Sequence, residues 1–336
     1  MIKSLFLCIY LNKVLSLVDV LKPSAITCHK ILGKSIYIKR DDQLNFKNLS
    51  GNKARKLFHL ASMENFPKYI ISYGGIQSNS MLAISQIVNY RGHSKFIYFT
   101  KPIPEFTRKI PSGNYANAVE LGMNIIELDN FSYNLLGSPE YKKILDCYNI
   151  PLEDTYFLPQ GGANQDASIG IKYLAEEIYK FVLENKGNWK ILVCSGTGTT
   201  SLFLSKWIHE LSKTNKNSSI EVIALPCVGS DEYLYECMKA LVGEQKYFPK
   251  ILKTFNTRVF AKPCKEHLDI WSDICSSSGI EFDLIYAPRA WELLKNSFKH
   301  EPEIWKDVNV LYYHCGGVSP GNISQLARYK YKNMMS

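Results

Sequence analysis

The sequence predicts an α/β protein with largely parallel sheets. Apolar runs of strand length alternate with longer amphipathic segments. Turns rich in glycine and hydroxyl residues follow several of those runs. A chain of 336 residues, 46% hydrophobic and 21% charged, is also long and apolar enough to bury one large or two moderate cores.

The N-terminus opens with Lys3 and the apolar run Leu5 to Leu11, which has the look of a short signal-peptide core. Asn12, Lys13 and Asp19 interrupt the pattern, and no small-residue cleavage site precedes Pro23. Residues 1–22 therefore read as an N-terminal extension, a helix packed on the body, and no segment reaches the length of a membrane span. Ser35 to Lys39 reads as a strand and Arg55 to Met63 as a helix. The strands Tyr69 to Ser72 and Lys95 to Thr100 are followed by helices at Ser78 to Tyr90 and Ala116 to Gly122. Further strands are expected at Met123 to Leu128, Thr155 to Leu158, Ile191 to Cys194, Ile220 to Leu225, Asp283 to Tyr286 and Val308 to Tyr313. After Thr199, residues Leu202, Phe203, Leu204, Trp207, Ile208 and Leu211 form one wide apolar face at helical spacing. The polar stretch Lys213 to Ser219 reads as an exposed loop.

A formal net charge of +9 invites a search for a basic stripe. The lysines and arginines are scattered and no zinc finger or similar motif is present, so the sequence argues against nucleic acid and for attraction of small anions. Nine cysteines, an odd number, form no CxxC or Cys/His cluster. They read as reduced thiols in a reducing, cytoplasmic compartment, and no metal site is expected.

Four turns stand where an open α/β sheet binds ligands, at the carboxyl ends of strands. SGTGTT at Ser195 to Thr200 joins a strand to an amphipathic helix, which presents backbone N–H groups to an anion. It lacks a P-loop lysine and a third dinucleotide-binding glycine, and taken alone it is equally a capped helix start. SGNK at Ser50 to Lys53 puts a lysine beside a helix start, where a positive charge is unfavourable unless something neutralises it; a Schiff base with an aldehyde cofactor would. GGIQSNS at Gly74 to Ser80 offers Gln77, Ser78 and Asn79 for a carboxylate or phenolic oxygen, with ordinary helix capping as the plainer reading. HCGG at His314 to Gly317 is the fourth.

In combination, KRDD at Lys39 to Asp42, SGNKARKL at Ser50 to Leu57, GGIQSN at Gly74 to Asn79 and the later GTGTT resemble the fold-type II pyridoxal-phosphate enzymes, above all the D-cysteine desulfhydrase and 1-aminocyclopropane-1-carboxylate (ACC) deaminase family. GNYANAVELG, LPQGGAN and LIYAPRAWE extend the resemblance over about residues 22 to 325. It implies a tryptophan synthase β-like architecture of two open twisted α/β domains, a large one from residues 23–53 with 167–336 and a small one from 54–166. It implies pyridoxal 5'-phosphate held as a Schiff base on Lys53, with Asn79 on the phenolic oxygen and Gly196, Thr197, Gly198, Thr199 and Thr200 around the phosphate. Ser78 would face the substrate, a small amino acid, holding its carboxylate or assisting proton transfer, with Gln77 and Asn79 also meeting it; Tyr286 would line the same pocket as a further catalytic residue, and a homodimer is expected.

The sequence also departs from the family. Ala287 stands where deaminase members carry a glutamate against the pyridine nitrogen, so opening of a cyclopropane substrate is disfavoured. Cys315 occupies a position usually given to a hydroxyl residue; a thiol is a weak donor there, and burial as a small hydrophobe is an equal reading. VFAKPCK at Val259 to Lys265 replaces the family's glycine- and tyrosine-rich substrate loop, and Ser80 stands where relatives often have His or Gln. The expected activity is α,β-elimination of D-cysteine to pyruvate, hydrogen sulfide and ammonia. A D-serine-like or ACC-like deaminase, a cofactor-binding protein with little catalysis and a nucleotide-binding protein remain the alternatives.

Overall fold

The computed structural model describes residues 21–46, 49–213, 219–256 and 258–332. The expected N-terminal helix lies outside the described residues, as does most of the expected loop between Lys213 and Ser219.

Two sheets organise the chain. In the larger, β1 (Ile26–Ile31) and β2 (Lys34–Arg40) pair antiparallel, and β2 lies parallel to β12 (Asn309–His314), which lies beside β9 (Trp189–Ser195), β10 (Ile220–Pro226) and the short β11 (Lys250–Ile251). In the smaller, all parallel, the order is β7 (Asn124–Glu127), β6 (Lys95–Thr100), β5 (Tyr69–Tyr73), β8 (Thr155–Leu158). A two-residue ribbon, β3 (Asn45–Phe46) and β4 (Leu49–Ser50), lies between β2 and the first helix.

Apolar strands follow from burial on both faces. In β9, Ile191 and Val193 pack into a core with Phe203 and Ile171, while Leu192 enters the opposite core with Trp291 and Leu294. In the small sheet, Ile70 packs with Met81 and Ile84, and its neighbour Ile71 packs with Phe99 and Leu145 on the other face.

Each sheet has a place where its strand order reverses. In the large sheet the chain steps from β9 through β10 to β11, then returns to the other side of β9 as β12. In the small one it steps from β5 through β6 to β7, then returns beside β5 as β8. Ligands bind at such points because the loops leaving neighbouring strands diverge there.

The helices, in chain order, are α1 (Asn52–Lys56), α2 (Phe58–Ser62), α3 (Asn79–Arg91), α4 (Glu105–Lys109), α5 (Gly113–Glu120), α6 (Asn130–Leu135), α7 (Tyr141–Cys147), α8 (Ala167–Asn185), α9 (Thr199–Ser212), α10 (Asp231–Leu241), α11 (Lys265–Ser278), α12 (Ala287–His300) and α13 (Gly321–Tyr331). The helix expected over Arg55 to Met63 is two short ones that meet at Leu57, whose backbone leaves the helical range at φ −98° and ψ 12°. The strand expected at Asp283 to Tyr286 is a turn. The Asp283 carboxylate accepts from the backbone N–H groups of Ile285 and Tyr286 at 3.1 and 2.6 Å, and Leu284 N–H donates to Asn322 Oδ1 at 2.7 Å. With its amides taken by side chains, the segment cannot join a ladder and leads into α12 instead.

Among the described residues no helix is long and apolar enough to cross a membrane, and the eight described cysteines are free thiols.

Candidate active site

Residue 51 must be glycine for Lys53 to reach its place. Gly51 has φ 62° and ψ −145°, and a Cβ there would lie 1.8 Å from the Cys315 carbonyl oxygen. Asn52 N–H donates to that oxygen at 2.8 Å, so the start of α1 is sewn to the end of β12 and Lys53 comes to lie beside Cys315. Two residues on, buried Arg55 donates to Asp41 at 2.8 and 2.9 Å and to Glu177 of α8 at 2.6 and 3.0 Å. Tyr313, two residues before Cys315, donates its hydroxyl to the same Asp41 at 2.7 Å. One carboxylate thus ties both sides of the Lys53–Cys315 contact.

Lys53 and the other residues singled out from the sequence line one cavity of about 400 Å³: Gln77, Ser78 and Asn79 from the small sheet, Gly196 to Thr200, Tyr286 and Cys315 from the large one. It lies where the two strand-order reversals face each other, at the carboxyl ends of β5 and β8 on one side and of β9 and β12 on the other.

The electrostatics favour uncharged forms. Burial pushes the Lys53 amine below the usual lysine value, partly opposed by Cys315 and Asp283, and its Nζ donates to Asn52 Oδ1 at 2.8 Å. Burial pushes the Cys315 thiol up against the opposing pull of Lys53, and its Sγ–H faces Tyr313 O at 3.7 Å. Burial likewise raises the Tyr286 phenol, with Asp283 adding to the shift.

On the small-sheet side Ser78 caps α3, accepting from Ser80 N–H at 3.2 Å and Met81 N–H at 3.3 Å. Ser78 thus caps the helix and lines the cavity at once. Asn114 Nδ2 donates to Asn79 Oδ1 at 2.7 Å and to Gln77 O at 2.9 Å. Fixing the Asn79 oxygen turns its amide nitrogen toward Gly317, where a Cβ would stand 2.8 Å from it. Gln77 lines the cavity, but its carboxamide is engaged by Asn114 N–H at 3.0 Å and by Ser112 O at 3.0 Å.

Four lining residues whose side chains bear on the site were not singled out individually from the sequence. Asn114 carries the Asn79 orientation. Lys56, buried, donates to Gly161 O at 2.7 Å, and burial and Lys53 hold it well below the usual lysine value. Asp283 is a buried carboxylate whose value burial raises and backbone hydrogen bonds oppose. Phe260 comes from the altered segment. Asn114 and Lys56 fell within the quoted motifs GNYANAVELG and SGNKARKL and Phe260 within the quoted VFAKPCK segment; nothing local marks Asp283 as a cavity residue.

The donor set fits pyridoxal phosphate. Gly198 is left-handed at φ 72°, directly before α9, and a Cβ there would meet Met238 at 2.6 Å. That conformation turns the Gly196 to Thr200 loop onto a helix N-terminus, the place for a phosphate. Asn114 Oδ1 and Ser80 Oγ are buried without a partner among the described residues, and both residues line the cavity, as expected where a polar ligand belongs. Lys56 Nζ is a buried donor with no carboxylate at hydrogen-bond distance among the described residues, which suits an anionic ligand.

No protein-family model matches the chain. It is 26% identical over 324 residues to a putative ACC deaminase of Thermotoga maritima, covering 89% of this chain and 95% of the relative. It is 26% identical over 300 residues to the mitochondrial bifunctional D-cysteine desulfhydrase/ACC deaminase of Arabidopsis thaliana, covering 85% of this chain and 73% of that one. A crystal structure of an ACC deaminase homologue superposes with a TM-score of 0.68 at 21% identity, covering 94% of this chain and 99% of the other. The resemblance read from the motifs is borne out: the chain has the fold-type II architecture and is related along most of its length to the D-cysteine desulfhydrases and ACC deaminases.

Proposed function

We propose that the protein is a pyridoxal-phosphate-dependent lyase that eliminates the β substituent of a small amino acid, with D-cysteine and water giving pyruvate, hydrogen sulfide and ammonia. The observation that carries the proposal is the meeting of Lys53, Asn79, the Gly196 to Thr200 loop, Tyr286 and Cys315 around one cavity. The names of the matched relatives, which include D-cysteine desulfhydrase activity, support it.

When bound, the cofactor supplies the electron sink that bond breaking at Cα needs. Gly196 to Thr200 would take its phosphate, the Asn79 amide nitrogen would donate to its phenolic oxygen, and Lys53 would hold its aldehyde carbon. A lysine that burial keeps toward the neutral form can then take the Cα proton at Nζ near neutral pH. Ser78 caps α3 and lines the cavity, so its hydroxyl, while accepting from the first amides of the helix, can donate its proton to the substrate carboxylate. Gln77 supports the same wall through Ser112 and Asn114 rather than by meeting substrate.

Cys315 favours elimination over ring opening. Its neutral thiol is a weak donor to a pyridine nitrogen, and Ala287 supplies no carboxylate. A good β leaving group departs without a strongly activated sink, whereas a cyclopropane has none. In this reading residues 23–53 with 167–336 form the cofactor-binding domain, 54–166 the smaller one, and the protein acts as a homodimer.

The test is product formation by the cofactor-loaded protein from D-cysteine, L-cysteine, D-serine and ACC. Pyruvate with matching sulfide, fastest from D-cysteine, supports the proposal. Faster release of 2-oxobutyrate from ACC would reassign the protein as a deaminase.

A further inference from the structure

Residues 258–262 border the cavity through Phe260 and Ala261 and are fastened at both ends, with Asn256 anchored beside them. At the start, Asn256 and Arg258 are held by α12: Arg258 donates to Glu292 Oε1 at 2.9 and 3.2 Å, Asn256 Nδ2 to the same oxygen at 3.2 Å, and Arg289 to Asn256 Oδ1 and O at 2.6 and 2.5 Å. Further along, the Ala261 carbonyl accepts from Gln325 Nε2 at 3.1 Å and Arg328 Nη1 at 2.8 Å. Gly321, Ser324, Gln325 and Arg328 all line the cavity, and their i, i+3, i+4, i+7 spacing makes one face of α13 its wall. Ala261 sits at φ 55°, a conformation an alanine holds only where its surroundings over-determine it.

What this strap carries into the cavity is Phe260. Its ring lies 5.2 Å from that of Tyr286, tilted by 57°, and the side chain remains 40% exposed although it lines the cavity. A large apolar ring held at a cavity edge by strained backbone and two anchors limits the size of what can bind and offers it no hydrogen bond. Arg328 spends Nη1 on Ala261 and Gln325, so it serves as an anchor for the strap.

We propose that Phe260 is a specificity-determining residue: held against Tyr286 by the Gln325/Arg328 and Glu292/Arg289 anchors, it restricts the site to amino acids with short, uncharged side chains. The inference rests on the reading of this cavity as the amino-acid site.

It can be tested apart from turnover, by following the visible band of cofactor-loaded protein during titration with D-alanine, D-aspartate and D-phenylalanine, which lack a good β leaving group. Wild type is expected to bind D-alanine most tightly. Phe260→Ala should improve D-phenylalanine relative to D-alanine by about tenfold or more, the size of effect a reshaped apolar pocket gives. Arg328→Ala should shift the same ratio in the same direction without altering the ring itself; a protein merely loosened would lose both ligands alike. Binding of the series with an unchanged ratio in both variants, or tightest binding of D-aspartate by wild type, would overturn the strap while leaving the amino-acid site standing. Binding of no amino acid to wild type or variants would sink the site reading and the strap with it.

Discussion

Asn114 decides which end of the Asn79 carboxamide faces the cavity, because it donates to Oδ1 and leaves the nitrogen to donate onward. Asn114→Ala should therefore weaken pyridoxal phosphate binding by roughly tenfold, the worth of one net hydrogen bond, with the fold intact by circular dichroism. An unchanged dissociation constant would show that Asn79 needs no such support. A second expectation concerns Lys53. Burial lowers its value and Asp283 partly restores it, so Asp283→Asn should lower it further. The Asn side chain can still accept from the amides of Ile285 and Tyr286, so the turn should survive. Reductive methylation of Lys53 against pH in cofactor-free protein should show a midpoint below that of an ordinary lysine, moving lower still in the variant; an upward move would contradict the electrostatic account.

At the scale of elements, two glycines fix how loops meet strands. Gly198→Ala adds a methyl against the flexible Met238 side chain and forces alanine into a left-handed conformation, which should cost about 1 to 2 kcal/mol. Gly51→Ala drives a Cβ into the Cys315 backbone, where nothing flexible can yield, and should cost clearly more. Denaturant midpoints of the two variants check the order, and equal midpoints would contradict it. The strand and helix rhythm of these elements was legible from periodicity, since strands buried on both faces must be apolar runs and α9 must carry an apolar stripe. Asp283 to Tyr286 misled because Leu284, Ile285 and Tyr286 have strand-like composition, while the hydrogen bonds that bend them come from Asp283 itself and from Asn322, far along the chain. The break at Leu57 was illegible for a similar reason. Gly170 of α8 packs so closely on Arg55 that a Cβ there would lie 2.0 Å from the Arg55 carbonyl, a tertiary contact that periodicity does not record.

Across the whole molecule, buried charges hold the site's parts in register. Asp41 binds Arg55 and Tyr313 and is fully buried, so Asp41→Asn leaves the guanidinium with Glu177 as its one carboxylate partner and should cost about 3 kcal/mol in unfolding free energy, the low end for a broken buried pair. Glu292 gives a pH signature. Burial would raise its value, but hydrogen bonds from His267, Arg289, Arg258 and Asn256 outweigh burial and hold it well below the ordinary range. Its folded value being depressed, the stability it contributes is present above the unfolded carboxylate range near pH 4.5 and is lost as pH falls through the folded value. Wild type should lose stability as pH falls from about 5 to 3, whereas Glu292→Gln should be less stable at neutral pH and flatter over that interval. Parallel pH curves for the two would count against this role. The charge cluster around Asp41 was half visible in the sequence: KRDD and SGNKARK lie in quoted motifs, but Glu177, in the middle of α8, has no local mark. The cofactor-contacting turns were legible because glycine and hydroxyl chemistry at strand ends is local. Asp283 was not, because only the turn before α12 brings it to the cavity; for Phe260 the sequence marked the 259–265 segment as the substrate loop's counterpart but not which of its side chains enters the cavity.

In the proposed reading, Lys53 anchors pyridoxal phosphate in this cavity and serves the elimination chemistry there. The most direct test is the visible absorption spectrum of the protein mixed with pyridoxal phosphate and freed of excess, before and after D-cysteine, beside Lys53→Ala treated the same way. Wild type should show a yellow chromophore that changes as pyruvate and sulfide appear, and the variant should retain none. No retained chromophore in wild type, or an identical one in Lys53→Ala, would contradict that reading.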